Sequence, residues 1–247
     1  MTGSDILENG KGVKVTGMVP STAVFSGLFP TDDITRSELA FTASGTAAQR
    51  GLNLMGNPYP SAIQWDNGDW SRNNLDYAVY VWHGYKYLVW NGITGSLKNG
   101  IIPSMQGFFV RSNAPGGSIT IPANSRLHDN QPFYKESESE SNVLIMKLEH
   151  VSGNGIADEA FVNIRSSSTT GYDGTTDAWK IFGPDAYPQL FTLSSNQDPL
   201  AINTQPDFSS IPVEFRVGEP GSYRITFDQT RSEEHTSELQ SRQVSSY

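Results

Sequence analysis

Two pairs of acids are the residues most able to do chemistry. Asp66 and Asp69 sit in Trp65-Asp-Asn-Gly-Asp-Trp70, and Asp173 and Asp177 in Asp-Gly-Thr-Thr-Asp. A glycosidase needs one protonated carboxyl and one ionised partner across a sugar. Two acids in one loop beside Asn and Gly make a poor version of that and read more simply as a solvated turn. Oxygen ligands clustered in a loop also suit calcium, so all four aspartates are candidate ligands of a structural calcium ion. The plainer alternative for the second pair is an Asx turn at Asp173 and a short helix capped by Asp177. His83, His128 and His150 have no ligand spacing. No GxSxG, GxGxxG or phosphate-loop pattern occurs. We therefore expect no catalytic residues, no enzyme activity and no cofactor beyond calcium.

The second chemistry available is stacking. Trp65, Trp70, Tyr77, Tyr80, Trp82, Tyr85, Tyr87 and Trp90 crowd into 26 positions. Exposed rings stack on sugar faces, which makes Trp70, Tyr85 and Trp82 candidate glycan contacts. The competing use is core filling, because burying such rings stabilises a fold strongly.

The elements that would hold these groups are short strands. Gly12–Met18 alternates, and Phe25–Phe29 and Glu38–Thr42 read as further strands around a turn at Pro30–Asp33. In Gly51–Trp65, GLNLMGNPYPSAIQW, a strand must end before Pro58 and Pro60, which cannot donate to a ladder. One helical turn capped by Ser61 is expected after it. Asp76–Trp82 and Tyr85–Trp90 form a hairpin across His83-Gly84. Tyr77, Val79 and Val81 then face one way, and Ala78, Tyr80 and Trp82 the other. Met105–Arg111, with a bulge at Gly107, and Ser118–Pro122 complete a first unit. Lys135–Ser141 is wholly polar and reads as a linker. Val143–His150, Ala160–Arg165, Gln189–Leu193, Leu200–Asn203, Ile211–Val217 and Ser222–Phe227 supply a second set of strands, with one helical turn expected at Asp177–Ile181.

The expected fold is all-β: two consecutive antiparallel β-sandwich domains of jelly-roll or Ig-like type, over 1–135 and 143–230, with a linker at 136–142. Composition agrees. Of 247 residues, 17% are charged, while Gly (23) and Pro (14) are plentiful. The net charge of −9 and the lack of any Lys/Arg cluster argue against a nucleic-acid partner or an anionic membrane surface. No run approaches the roughly 20 apolar residues of a membrane span. Without cysteine there are no disulfides, thiolate metal sites or Cys nucleophiles.

Several phrases together resemble a β-rich module of large surface proteins that Bacteroidota export by the type IX route. They are GLNLMGNPYPSAIQWD, YAVYVWHGYKY, IIPSMQGFFVRS, NSRLHDNQPFYK, GYDGTTDAWKIFG and PQLFTLSSNQDPLAIN, spread over Gly12 to Phe227. The resemblance implies a non-catalytic structural or adhesive module, secreted or on the cell surface, next to a C-terminal sorting domain. Its partners would be flanking domains of the same polypeptide and an extracellular glycan or protein. The alternative is a carbohydrate-binding module using residues 65–90. RSEEHTSELQS, at Arg231–Ser241, resembles a translated sequencing adapter, so 231–247 is expected to be a non-native tail.

Overall fold

The period-two alternation of the aromatic stretch governs the whole architecture. The computed structural model describes residues 6–14, 26–42, 50–127, 142–153, 155–208, 210–230 and, for the backbone, 242–246. The strands up to Ile121 are β1 (Ile34–Leu39), β2 (Leu52–Gly56), β3 (Ile63–Gln64), β4 (Ser71–Asn73), β5 (Val79–Trp82), β6 (Tyr87–Trp90), β7 (Ile101–Ile102), β8 (Gly107–Arg111) and β9 (Gly117–Ile121). Those that follow are β10 (Val143–His150), β11 (Ala157–Ile164), β12 (Ala178–Trp179), β13 (Gln189–Leu193), β14 (Pro199–Gln205), β15 (Val213–Arg216), β16 (Gly221–Thr230) and β17 (Arg242–Ser246).

They make a three-stranded sheet β1-β9-β4, a four-stranded sheet β2-β8-β5-β6, a two-stranded β3-β7 pair and an eight-stranded sheet β15-β13-β14-β11-β10-β16-β17 with β12 on β14. Among the described residues all pairings are antiparallel except β11 with β14, which runs parallel from Phe161↔Ile202 to Ile164↔Gln205. The chain is all-β, as its turn-rich composition requires.

The four-stranded sheet is buried on both faces. Met55, Val79, Val81, Phe108 and Val110 enter a core shared with Ile119 and Ile121 of the three-stranded sheet. The intervening residues Ala78, Tyr80 and Val89, with Leu52, Tyr87 and Phe109 beside them, enter a second core with Val143, Phe161, Ala178 and Ile202. Successive side chains of a strand point to opposite faces, so one run of sequence fills two cores. A third core, with Met146, Leu148, Val162 and Leu190, lies on the other face of the eight-stranded sheet. The facing expected for residues 77–81 holds.

Several local expectations are corrected. The turn of the β5–β6 hairpin is shifted by one residue: Trp82 pairs with Tyr87, and His83 N–H donates to Lys86 carbonyl at 2.9 Å. Gly84 and Tyr85 are therefore its central residues, and Gly84 supplies the required positive φ of 78°. No helical turn follows Ser61. Ile63 and Gln64 pair with Ile102 and Ile101, and this extended form lets both Ile63 and Trp65 be fully buried. Likewise Asp177–Ile181 is not helical: Ala178 and Trp179 pair with β14 inside the core. Gly107 makes no bulge, since the β2–β8 register is unbroken.

The strand expected at Glu38–Thr42 lies earlier, at Ile34–Leu39, where Ile34 and Arg36 pair with Ile121 and Ile119. Glu38 there takes φ 58°. Residues 26–29 form no strand, and Leu28 and Phe29 are exposed. Lys11 bridges Met55 as an isolated pair; of the strand expected at Gly12–Met18, residues 12–14 are not in a strand and residues 15–18 lie outside the described residues. The linker at 136–142, apart from Asn142, lies outside the described residues, as do His128 and 231–241.

Candidate functional site

The exposed loop after Trp65 places Asp66 and Asp69 on different partners. Asp66 is consumed by the aromatic core beneath it. Its Oδ1 accepts the Tyr77 hydroxyl at 2.8 Å and its Oδ2 accepts Trp90 Nε1. Asp69 instead faces Asn124, whose Nδ2 donates to Asp69 Oδ2 at 2.9 Å while Asn124 Oδ1 accepts Asp69 N–H at 3.1 Å. Both acids brace the loop.

Below them lies a group that sequence reasoning missed. The Arg72 guanidinium sits 4.1 Å from the Trp65 ring centroid, 4.6 Å from Tyr77 and 5.1 Å from Trp70, and donates to the Trp65 carbonyl. Three rings thus form a cage whose cation is the chain's own, an arrangement stabilised by the ring quadrupoles. Burial holds the Arg72 pKa below its ordinary value. Trp70 closes this cage half-buried, with its Nε1 on the Gln64 carbonyl at 3.0 Å. Trp70 is therefore tied to the base of the hairpin, beside Trp65.

Trp82 and Tyr85 lie at the other end, at the tip. Trp82 is 38% exposed and leans on Tyr87, with centroids 4.9 Å apart. Tyr85 is half-buried against Tyr187 of the 182–188 loop at 5.5 Å. The structure brings Tyr85 near a ring the sequence did not single out, and does not bring Trp70 to either.

Asp173 and Asp177 belong to one loop. Asp173 Oδ1 accepts Thr175 N–H at 2.9 Å and its hydroxyl at 2.7 Å, which is an Asx turn. Asp177 is fully buried; its Oδ2 accepts Asp173 N–H at 2.8 Å and its Oδ1 accepts Thr204 N–H at 2.6 Å. Burial pushes its pKa up to about 7, against the two backbone donors, which pull it down. Unfolded, the same acid ionises near 3.8. Between those values the folded chain holds a proton the unfolded chain has released, so this group's contribution falls as pH rises from about 4 to about 7. Asp177→Asn is therefore expected to remove a downward slope in that window. Unfolding free energies of both proteins across pH 4–8 check it; parallel curves would contradict the assignment.

This loop also joins the two halves. Asp76, only 2% exposed, accepts Arg111 Nη1 and the Tyr172 hydroxyl on Oδ2, each at 2.6 Å, and Asn113 Nδ2 on Oδ1 at 3.2 Å. Burial first, then the Asp76 charge, holds the Tyr172 phenol well above its ordinary pKa, so it stays a donor. Tyr77 N–H donates to the Gly174 carbonyl at 2.7 Å, and Asn91 Nδ2 to the Thr176 carbonyl. Gly174 is obligatory here, because a Cβ would stand 2.3 Å from Asp76 Oδ1. A second buried pair, Lys180 with Asp158, anchors β12 to β11, and Asp158 Oδ2 also accepts Leu190 N–H at 2.7 Å. Burial holds the Lys180 pKa below its ordinary value, with Asp158 opposing. The available signal for these residues was a lone charge inside an apolar run, as in Gly-Phe-Phe-Val-Arg111 and Ala-Trp-Lys180.

A groove of about 290 Å³ runs between the 7–13 segment, residues 26–30 and Met105. Its one acid, Glu8, is paired with Arg36. Among the described residues, no three His, Asp or Glu side chains converge as a metal site would need. Comparison with protein-family profiles, characterised proteins and solved structures found no match.

Proposed function

We propose that this chain is a non-catalytic structural and adhesive β module of a secreted, cell-surface protein, part of a larger type IX secretion cargo. In this reading residues 1–135 and 143–230 are successive jelly-roll or Ig-like sandwiches, and their job is to hold flanking domains of the same polypeptide at a fixed spacing. One observation carries the reading: the aromatic stretch is used as filling on both faces of one sheet. Its acids and cations are likewise spent on internal contacts. A spacer needs that stiffness, since domains joined by small polar contacts move relative to one another by default. The reading predicts that the parent gene encodes further domains and that RSEEHTSELQS is absent from it.

A second reading is carbohydrate binding, and exposed Trp82 near the Tyr85–Tyr187 pair favours it. A glycan array with the wild type and Trp82→Ala separates the two. Absence of binding to every glycan is expected of a spacer. Binding that falls at least about tenfold in Trp82→Ala, the loss of about 1.4 kcal/mol expected for one stacking ring, would replace it with the second reading.

A further inference from the structure

Among the described residues, three lysines pair with carboxylates. Lys147 and Glu149 are both partly exposed, and Glu159, the partner of Lys86, is 30% exposed. Lys180 and Asp158 differ: their side chains are 5% and 3% exposed. Arginine is the better residue for a buried ion pair, because its delocalised charge is more weakly hydrated. The seam uses it, pairing Arg111 with Asp76. A lysine in the same situation costs more to strip of water. It brings one property that arginine lacks: its amine, once neutral, is a nucleophile.

The surroundings hold the two groups together and away from solvent. Asp158 stands opposite Leu148 of β10, and neither Leu148 nor Leu190 has any exposed surface. Lys180 is pinned by its own N–H, which donates to the Pro199 carbonyl at 2.9 Å. Its Nζ contacts Asp158 Oδ2, and Cγ lies one bond further. Leu190 N–H donates to the same Oδ2 at 2.7 Å, a distance suited to holding charge that develops on an oxygen. Burial keeps the Lys180 pKa below its ordinary value, which brings the neutral amine within reach. Reactants fixed in this way act at effective concentrations far above any in solution, and a closed interior keeps bulk water from the product.

We propose that Lys180 and Asp158 condense into an intramolecular amide, Nζ to Cγ, which ties β12 to β11. In the ion pair Nζ carries three hydrogens. One passes to the carboxylate, leaving a neutral amine beside a carboxylic acid. The nitrogen lone pair attacks Cγ while Leu190 N–H steadies the charge on Oδ2. Oδ1 then departs with the electron pair of its bond to Cγ. It takes the first proton and a second from Nζ, and leaves as water. One hydrogen stays on the amide nitrogen and Oδ2 becomes the amide oxygen, so neither an oxidant nor an outside proton is needed. The product replaces two buried charges by one neutral group and closes a covalent loop from 158 to 180. It stands apart from the spacer reading, which rests on the aromatic layer, so failure of one leaves the other in place.

The test is the intact mass of the full chain, denatured so that only covalent ties survive. The wild type is expected to weigh one water less than its sequence. Trypsin then fails to cut after Lys180, whose amine is acylated. Residues 148–165 emerge joined to residues 166–216 as one branched peptide. Lys180→Arg keeps a cation beside Asp158 but offers no amine, since a guanidinium stays protonated, and is expected at its full sequence mass. Asp173-Gly174 offers another way to lose a water, by ring closure to a succinimide. A deficit mapped there, with residues 166–180 released as a separate peptide, would overturn the cross-link. So would a wild type at full sequence mass, or a Lys180→Arg chain that keeps the deficit. The wild-type readings stand whether or not the variant folds.

Discussion

Arg111→Ala is expected to destabilise the protein by about 3–5 kcal/mol, the cost of stranding one member of a buried ion pair. Asp76 would be left 2% exposed with only the Tyr172 hydroxyl and Asn113 amide as donors. Arg111 also stacks 5.1 Å from the Trp179 ring, so the substitution removes packing between the halves as well as charge. The double variant Asp76→Leu/Arg111→Met should recover much of the loss, because no charge then stays buried. Thermal or urea unfolding of the three proteins measures both effects. An Arg111→Ala loss below about 1 kcal/mol would place this pair among exposed ion pairs, which contribute little.

Trp65→Ala should cost a similar amount, about 3–5 kcal/mol, as for other fully buried large aromatics. Trp65 has no exposed surface, donates Nε1–H to the Tyr77 carbonyl at 2.8 Å and packs on Trp70 at 4.7 Å. Its loss also unroofs Arg72, whose guanidinium would keep two of its three rings. Trp82→Ala, by contrast, removes a ring already 38% exposed and should cost about 1 kcal/mol or less. Comparable losses for the two would mean that the ring inventory between residues 65 and 90 is not divided into filling and surface in this way.

Much of the strand pattern was legible from local sequence. Val143–His150 and Gln189–Leu193 match β10 and β13 to the residue, because β-branched and apolar runs bounded by turn residues have few other uses. The facing of Val79 and Tyr80 was legible for the same reason. What failed was decided by distant partners. Ser61–Trp65 looked like a capped turn, yet Ile101 and Ile102 recruit Ile63 and Gln64 into a ladder nearly 40 residues away in sequence. Asp177 looked like a helix cap, yet the carbonyls and amides of β14 claim the segment after it. Period-two alternation shows which side chains share a face, but not that both faces are covered. Hence the double use of the hairpin, and with it the Asp76–Arg111–Tyr172 cluster, could not be read from spacing. Asp66 and Asp69 were correctly placed in a polar loop; their separate partners, Tyr77 and Asn124, were beyond local reasoning.

β5 and β6, with β2 and β8, serve as a layer common to both cores, so that the halves share stability. Hydrogen exchange followed by mass spectrometry on the wild type and Arg111→Ala tests it most directly. The slowest amides of β11 and β14, across the seam from the substitution, should lose the same protection free energy as those of β5 and β8. Undiminished protection in β11 and β14, beside a large loss in β5 and β8, would show two cores that stand independently and would contradict the shared layer.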